Sequence, residues 1–189
     1  MVNQFIDRTF ARDKSFFGTG LVAHVSMAHP VCSRLGKHLI QAGAEVGIKI
    51  VDGGTYLVME GPQFSTLAES VLYRNWNCDV IGMTNMPEAK LAREAEICYA
   101  SVAMVTDFDC WHPDHDAVTV EAIVKVLLAN ADNARSLVKT VAPMLGTDSS
   151  SPQCTCRSVL EHAIITSPEA RDPLLAAKLD AVAGRLISR

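Results

Sequence analysis

Two carboxylates stand two residues apart at the point where a long uncharged run of the chain ends. Asp107 and Asp109 follow residues 98–106, which carry no formal charge. In extended backbone, alternate side chains point to the same side, so both carboxylates would face one ligand with Phe108 opposite. Such a pair suits general acid–base catalysis or recognition of a donor-rich ligand edge. The competing interpretation is a solvated strand end without a chemical role, and spacing alone favours it.

Other groups of reactive side chains have weaker patterns. Cys110, His112 and His115 could ligate a metal, but their spacing matches no standard zinc pattern and no CxxC pair accompanies them. Cys154 and Cys156 are expected to be free thiols, with redox or metal roles as weaker alternatives. The sequence contains no P-loop, no GxSxG motif and no zinc-deaminase signature. No metal site is therefore predicted.

Ser65 and His24 each allow a functional and a purely structural interpretation. Ser65 could be a nucleophile, but helix capping is favoured because Thr66-Leu-Ala-Glu69 forms a capping-box pattern directly after it. His24 lies in an apolar context, where a packed histidine is more common than a catalyst. It remains a candidate only if a ligand pocket is argued independently.

Helix and strand signals alternate along the chain and predict an α/β fold. The predicted helices cover residues 33–44, 67–76, 87–96 and a long segment from 120 through 138. The predicted strands cover 46–51, 55–59, 79–83 and 98–106, with the first two joined as a hairpin and the last central. A loop or hinge at 146–156 precedes two short helices broken at Pro168 and Pro173.

Ligands of α/β proteins bind where strands end, so these strands also predict where a site should lie. Three segments qualify, namely residues 59–62, 83–85 and 106–109.

Composition limits the class of protein. The 189 residues are 49% hydrophobic and 20% charged with a net charge of −4, which excludes global disorder and disfavours a polybasic nucleic-acid binder. No stretch approaches the ~20 apolar residues of a membrane span, and the N-terminus resembles no secretory signal. We therefore expect a cytosolic protein with six reduced cysteines. The mean hydropathy of +0.16 is high, as is typical of a chain with a subunit interface.

Several longer motifs occur in order and carry more information than spacing does. They are Asn3-Gln-Phe-Ile-Asp-Arg-Thr9, Glu60-Gly-Pro-Gln-Phe-Ser65, Ala68-Glu-Ser70, Asp79-Val-Ile-Gly-Met-Thr84, Pro87-Glu88, Ile97-Cys-Tyr-Ala-Ser101 and Thr106-Asp-Phe-Asp-Cys-Trp111. Together they closely resemble the methylthioadenosine phosphorylases of the purine nucleoside phosphorylase family. The resemblance is strong from residue 3 to about 145 and weaker through the tail.

This resemblance implies a mixed twisted β-sheet flanked by helices, in one domain covering residues 1–189 and assembled as a homotrimer. It implies phosphorolysis of S-methyl-5′-thioadenosine to adenine and S-methyl-5-thioribose 1-phosphate, in purine and methionine salvage. Phosphate is then a co-substrate, and no metal or organic cofactor is needed.

The resemblance also implies roles for individual residues. Asp107 would protonate the purine at N7, and Asp109 would help to hold the 6-amino edge. Phe64 would stack near base and sugar, Met83 would pack under the ribose, and Thr84 would bind phosphate. A carboxyl group that donates a proton at neutral pH must be shielded from water, so Asp107 is expected to be buried in the closed site.

Three further residues match positions linked to the 5′ end of the nucleoside. Ser65 and Val120 match positions tied to substrate choice, and apolar Val120 suits a methylthio group better than a hydroxyl. His24 matches a residue that reaches the 5′-pocket of the neighbouring subunit.

The sequence departs from the family pattern at its N-terminal end. Members carry a preceding portion with the first strands, a glycine-rich phosphate loop and further phosphate and base contacts. We therefore expect this chain to be the C-terminal portion of the fold, with Thr84 as its main phosphate ligand. Two alternatives stay open: a non-catalytic nucleoside-binding or assembly fragment, and a phosphorylase for another purine nucleoside. Asp107 and Val120 count against the second.

Overall fold

Three short parallel strands form the sheet that carries the candidate site. The computed structural model describes residues 1–112, 120–147 and 154–187. The strands are β1 (Gln4–Asp7), β2 (Thr55–Val58) and β3 (Val80–Gly82), with β2 in the middle. In register, Phe5 faces Tyr56, which in turn faces Val80. Because parallel strands end at one edge of a sheet, the segments that follow them converge there.

Helices connect and flank these strands, which confirms the predicted α/β architecture with a sheet flanked by helices. Among the described residues the ladders are parallel, and antiparallel pairing occurs in isolated bridges. The helices are α1 (Ser33–Glu45), α2 (Leu67–Asn75), α3 (Glu88–Glu94), α4 (Val120–Thr147), α5 (Pro173–Lys178) and α6 (Asp180–Ile187), with 3₁₀ turns at Thr155–Ser158 and Pro168–Ala170.

The start of α2 is set by the predicted capping box. The Thr66 hydroxyl accepts from the Glu69 backbone N–H at 3.3 Å, and the Glu69 carboxylate accepts from the Thr66 backbone N–H at 2.7 Å. Both contacts satisfy N–H groups that a helix leaves unpaired at its first turn. The hydrogen bonds from Thr66 also lower the pKa of Glu69.

Helix α4 packs against α1. Ala42 of α1 meets Leu137 and Val141 of α4 in a buried cluster, as the helical spacing of apolar residues predicts. The helix continues beyond residue 138 to Thr147 and includes Pro143. It is therefore longer than the apolar repeat alone indicates.

The predicted strand at 46–51 and its hairpin with 55–59 are wrong. Strand β2 pairs with β1 and β3, and both pairings are parallel. Ile48 and Ile50 instead pack on the cluster between α1 and α4. Their alternating apolar pattern thus reflects one face buried against helices and not a sheet ladder.

The predicted central strand at 98–106 is also wrong. Of the described pairings, this segment makes one isolated bridge, in which the Val2 N–H donates to the Ser101 carbonyl at 2.9 Å. Residues 102–105 line a cavity of about 420 Å³ beside the ends of β1 and β3. The absence of charged residues in this run is explained by its partial burial. A half-buried segment need not pair with a neighbouring strand.

The C-terminal tail folds back onto residues 17–25. Leu21 is fully buried with Leu160 and Leu179, and an isolated bridge joins Ala23 to Ile164. Pro168 opens a 3₁₀ turn and Pro173 opens α5, so the predicted breaks in the tail are confirmed. The predicted loop at 146–156 lies partly outside the described residues.

None of the helices in the described ranges is both long enough and apolar enough to cross a membrane.

Candidate functional site

Arg12 forms hydrogen bonds with the segments that follow the carboxyl ends of β2 and β3. Its Nε donates to Glu60 Oε1 at 3.1 Å, and one terminal nitrogen donates to the carbonyl oxygens of Met83, at 2.8 Å, and Met86. The other terminal nitrogen donates to the carbonyls of Met59 and Glu60 at 3.3 and 2.7 Å. A guanidinium has five N–H donors, and all five are used on protein acceptors. Arg12 therefore positions the edge of the sheet and has no donor left for a ligand.

Glu60, which binds Arg12, also accepts hydrogen bonds from the segment after β1. Its Oε2 accepts from the backbone N–H groups of Phe10 and Ala11 at 2.6 and 3.1 Å. These backbone donors, with Arg12, hold the pKa of Glu60 below its usual value. The carboxylate is thus ionised at neutral pH and ties the segment after β1 to the end of β2.

Met83 and Thr84 directly follow β3 at this edge. Met83 packs on Gly61, where a β-carbon would lie 2.7 Å from its sulfur and where the φ of 76° also favours glycine. The exposed Thr84 hydroxyl lies 3.3 Å from the hydroxyl of Tyr56, which crosses over Gly82. Two hydroxyl groups therefore converge where phosphate binding was predicted for Thr84.

Asn85 contacts the Thr84 hydroxyl and links it to Tyr99. Its amide nitrogen donates to Thr84 Oγ1 at 3.4 Å, and its Oδ1 accepts from the Tyr99 hydroxyl at 2.7 Å. Burial raises the pKa of Tyr99 to about 12, so the phenol stays protonated and donates throughout the physiological range. Asn85 is itself buried and has a φ of 74°.

Asp107 and Asp109 differ in their surroundings. Asp107 is exposed, and its Oδ2 accepts from the neighbouring Thr106 hydroxyl at 2.7 Å. Asp109 is half-buried, and its Oδ1 accepts from the Cys110 backbone N–H at 2.8 Å. Because the chain bends at Asp107 and residues 107–109 are not part of a strand, the common orientation expected from strand geometry does not apply. The expected burial of Asp107 is not found in the single chain.

The loop that carries both aspartates is anchored to α2. Ser70 is 1% exposed. Its hydroxyl oxygen lies 2.9 Å from Ser65 Oγ and 3.2 Å from Cys110 Sγ. The Cys110 thiol also donates to the Ser65 carbonyl at 3.8 Å. The structure therefore brings Ser65 and the acidic loop together. Ser65 does not cap α2, because Thr66 holds that position.

An aromatic cluster anchors the far end of the same loop. The Arg74 guanidinium lies 3.6 Å from the centroid of the Trp111 ring, a cation–π contact with α2. Phe108 stacks on His112 with ring centroids 4.4 Å apart and an interplanar angle of 14°. The Arg74 contact joins the segment after Asp107 to α2, while the Phe108–His112 stack lies within the loop.

The remaining predicted residues are not joined to these contacts. Phe64 is 87% exposed beside the Ser65 loop. His24 is exposed, and its backbone N–H donates to Ala163 in the tail. Val120 begins α4, but its side chain lies outside the described residues, as does all of His115. Their predicted roles stay predictions.

Among the described residues, a group of four cysteines is placed to hold a metal, while the candidate set with His115 lies partly outside these residues. Cys110 contacts the two serines, whereas the sulfur atoms of Cys32, Cys98, Cys154 and Cys156 all lie within 4.8 Å of one another. No short motif links these four cysteines, so sequence spacing could not reveal the cluster.

Sequence reasoning also missed the residues that hold the site in place. Arg12, Ser70 and Arg74 make contacts with partners far away in the chain, and no local pattern marks them. Ser70 and Trp111 fall within longer sequence motifs, which give no sign of their contacts.

A family model described as the phosphorylase superfamily matches residues 1–143 of the chain. A protein of Rhodospirillum rubrum named S-methyl-5′-thioadenosine phosphorylase is 65% identical over 188 residues, and one of Cereibacter sphaeroides with the same name is 62% identical over 187 residues. Each alignment covers 99% of this chain and 64% of the relative. The chain thus spans somewhat less than two thirds of the length of these relatives.

Solved structures of methylthioadenosine phosphorylases are also similar to this chain. A methylthioadenosine phosphorylase from an antarctic soil metagenomic library superposes with a TM-score of 0.87 at 45% identity, covering 96% of this chain and 63% of that one. The methylthioadenosine phosphorylase of Schistosoma mansoni in complex with adenine superposes with a TM-score of 0.73 at 32% identity, covering 78% and 59%. The fold is therefore nucleoside phosphorylase-like, as the sequence motifs predict.

Proposed function

The chain belongs to the phosphorylase superfamily, and on that premise we propose that the protein catalyses the phosphorolysis of S-methyl-5′-thioadenosine. The observation that carries the proposal is the 65% identity, over 188 residues, with a protein that bears the name of this enzyme. A phosphate oxygen attacks C1′ of the sugar while the bond from C1′ to N9 breaks, and the purine takes up a proton. The products are adenine and S-methyl-5-thioribose 1-phosphate, which would feed purine and methionine salvage.

Asp107 is the proposed general acid. The departing adenine gathers negative charge as the glycosidic bond lengthens, and a proton delivered at N7 relieves it. Asp109 accepts hydrogen bonds from the 6-amino group, for which a carboxylate is a suitable acceptor. The anchoring of this loop to α2 through Ser70 supports the proposal, because a catalytic acid must be held within hydrogen-bonding reach of its substrate. A bound purine would also shield Asp107 from water.

The sugar and phosphate are assigned to the edge of the sheet. Met83 offers an apolar surface for the ribose, while Thr84 donates its hydroxyl to phosphate. The nearby Tyr56 hydroxyl and the Asn85 amide support this assignment because they orient the Thr84 side chain. Phosphate is a co-substrate here, and we propose no metal or organic cofactor for the reaction.

We assign the 5′ end of the nucleoside to Val120, Ser65 and His24, the last from a neighbouring subunit of a homotrimer. The exposure of Phe10, at 82%, supports assembly. Large apolar surface left in water is a common mark of a subunit interface. The cytosolic location remains a prediction.

The proposal is tested by release of the free purine base from the purified 189-residue chain, with and without phosphate. The base is adenine for methylthioadenosine and adenosine, and hypoxanthine for inosine. Phosphate-dependent release, faster from methylthioadenosine than from adenosine or inosine, supports it. Faster release from inosine would assign another purine nucleoside as substrate. Binding of adenine without any phosphate-dependent turnover would favour the alternative, in which this chain is a binding module.

A further inference from the structure

Four cysteine side chains, none of them among the proposed catalytic residues, meet at one point. The sulfur atoms of Cys32, Cys98, Cys154 and Cys156 all lie within 4.8 Å of one another, and those of Cys98 and Cys154 are 3.2 Å apart. Cys32 and Cys156 are buried, and the other two are half-buried. The chain brings them together from three separate segments: the residue before α1, the residues that follow α3, and the 3₁₀ turn at Thr155–Ser158.

The distances suit a tetrahedral metal centre. Zinc–thiolate bonds are ~2.3 Å long, so sulfur atoms at the corners of a tetrahedron lie about 3.8 Å apart. The 3.2 Å between the sulfur atoms of Cys98 and Cys154 is shorter than this value, and the 4.8 Å limit for all pairs is longer. A disulfide requires a sulfur–sulfur distance of about 2.05 Å, which the Cys98–Cys154 pair exceeds.

Two arginines supply the charge that such a centre needs. An Arg34 terminal nitrogen lies 3.9 Å from Cys98 Sγ, and an Arg93 terminal nitrogen lies 3.9 Å from Cys156 Sγ. Zinc with four thiolates carries two negative charges, which are costly to bury without nearby cations or donors. Arg93 is only 8% exposed and also donates to the His29 carbonyl, which fixes its direction.

We propose that Cys32, Cys98, Cys154 and Cys156 bind one zinc ion in a closed structural site. Four protein thiolates fill the coordination sphere and leave no position for substrate, which distinguishes a structural zinc from a catalytic one. Binding releases the thiol protons, and no electrons are exchanged. The ion joins the tail to the N-terminus of α1 and to the segment that leads to Asp107.

Metal content and cobalt spectroscopy test the site directly in the purified chain. We expect about one zinc per chain after anaerobic reconstitution with Zn²⁺ alone. Substitution by Co²⁺ should give the d–d bands of tetrahedral cobalt with a sulfur-to-cobalt charge-transfer band. A chain that retains no metal while all its thiols react freely, or one that contains a disulfide between Cys98 and Cys154, would overturn the proposal.

Cysteine variants localise the site. Loss of an outer partner usually weakens metal binding ~10–100-fold, so Cys154→Ser should weaken Co²⁺ binding by more than about 100-fold. Cys78→Ser is the matched control, since Cys78 lies outside the cluster, and it should leave the affinity and spectrum unchanged. Equal effects of the two variants would contradict the assignment. If Cys154→Ser does not fold, the wild-type stoichiometry and cobalt spectrum still decide.

Discussion

The hydroxyl oxygen of Ser70 lies 3.2 Å from the sulfur of Cys110, and this contact joins α2 to the loop that carries Asp107 and Asp109. Ser70 is 1% exposed and also contacts Ser65 at 2.9 Å. The position of the proposed acid is thus set by a helix whose first turn has its own capping box. This arrangement makes the activity sensitive to residues that touch no substrate.

Replacing Ser70 by alanine removes both of these contacts. We expect Ser70→Ala to lower kcat/KM for phosphorolysis by about 10- to 100-fold, because small displacements of a catalytic group have effects of this size. Circular dichroism should show a folded protein. Ser26→Ala changes an exposed serine and serves as control. Full activity of Ser70→Ala would mean that the loop is positioned by other contacts.

Arg12 holds the edge of the sheet through five donors, and lysine cannot reproduce that geometry. Arg12→Lys should lower the free energy of unfolding by about 2–3 kcal/mol, as expected for lost hydrogen bonds of a charged group. Urea titration measures the change. Arg135→Lys affects an exposed ion pair with Asp132 and should change stability by less than about 0.5 kcal/mol. Similar losses in both variants would contradict this role of Arg12.

Asp7 predicts a pH dependence of stability. Its carboxylate, 13% exposed, meets Lys90 Nζ at 2.5 Å and Lys14 Nζ at 3.0 Å. Partial burial alone would raise the pKa of Asp7, but hydrogen bonds from Lys90, Thr9 and Lys14 lower it well below the usual value. A lowered native pKa stabilises the fold above the unfolded pKa of 3.8, and this contribution is lost as the pH falls below that value.

The Asp7→Asn variant isolates this contribution. The difference in unfolding free energy between wild type and Asp7→Asn should be largest near neutral pH and should shrink on acidification below about pH 4. Asp132→Asn changes a residue that is 76% exposed and should show little pH-dependent difference. A difference for Asp7→Asn that does not change with pH would refute the ion-pair explanation.

Gly82 leaves room for the Tyr56 side chain beside Thr84. A β-carbon at this position would lie 1.9 Å from the Tyr56 hydroxyl oxygen. Gly82→Ala should therefore lower the unfolding free energy by about 1–3 kcal/mol through overpacking and raise the KM for phosphate. At Gly18 no atom lies within 4 Å of the added carbon, so Gly18→Ala is the matched control. An unchanged KM for phosphate in Gly82→Ala would argue against Tyr56 as a support of Thr84.

Local signals in the sequence predict most helices of this fold. The capping box marks the start of α2, and the apolar repeat marks α4, because both depend on residues a few positions apart. The strand predicted at residues 98–106 is wrong because a segment without charged residues indicates burial, which does not imply pairing with a neighbouring strand. Family motifs predict roles for Asp107 and Thr84, whereas the contacts that Ser70 and Tyr56 make near them depend on the tertiary fold.

The cysteine cluster shows why the rest could not be predicted. Cys98 and Cys154 are 56 residues apart in the chain and become neighbours only when the tail folds back. Arg12 is similarly distant from its acceptors at Glu60 and Met83. Contacts of this kind follow from topology, on which a single sequence carries little information.

The most direct test of the account is phosphate-dependent adenine release from methylthioadenosine by the Asp107→Asn variant and the unaltered protein, measured side by side. An asparagine keeps the size of the side chain but cannot deliver a proton to N7. The account predicts that kcat falls by at least about 100-fold, the lower range for loss of a general acid, while adenine still binds. Full phosphate-dependent release by Asp107→Asn would contradict the assignment of Asp107 as the acid.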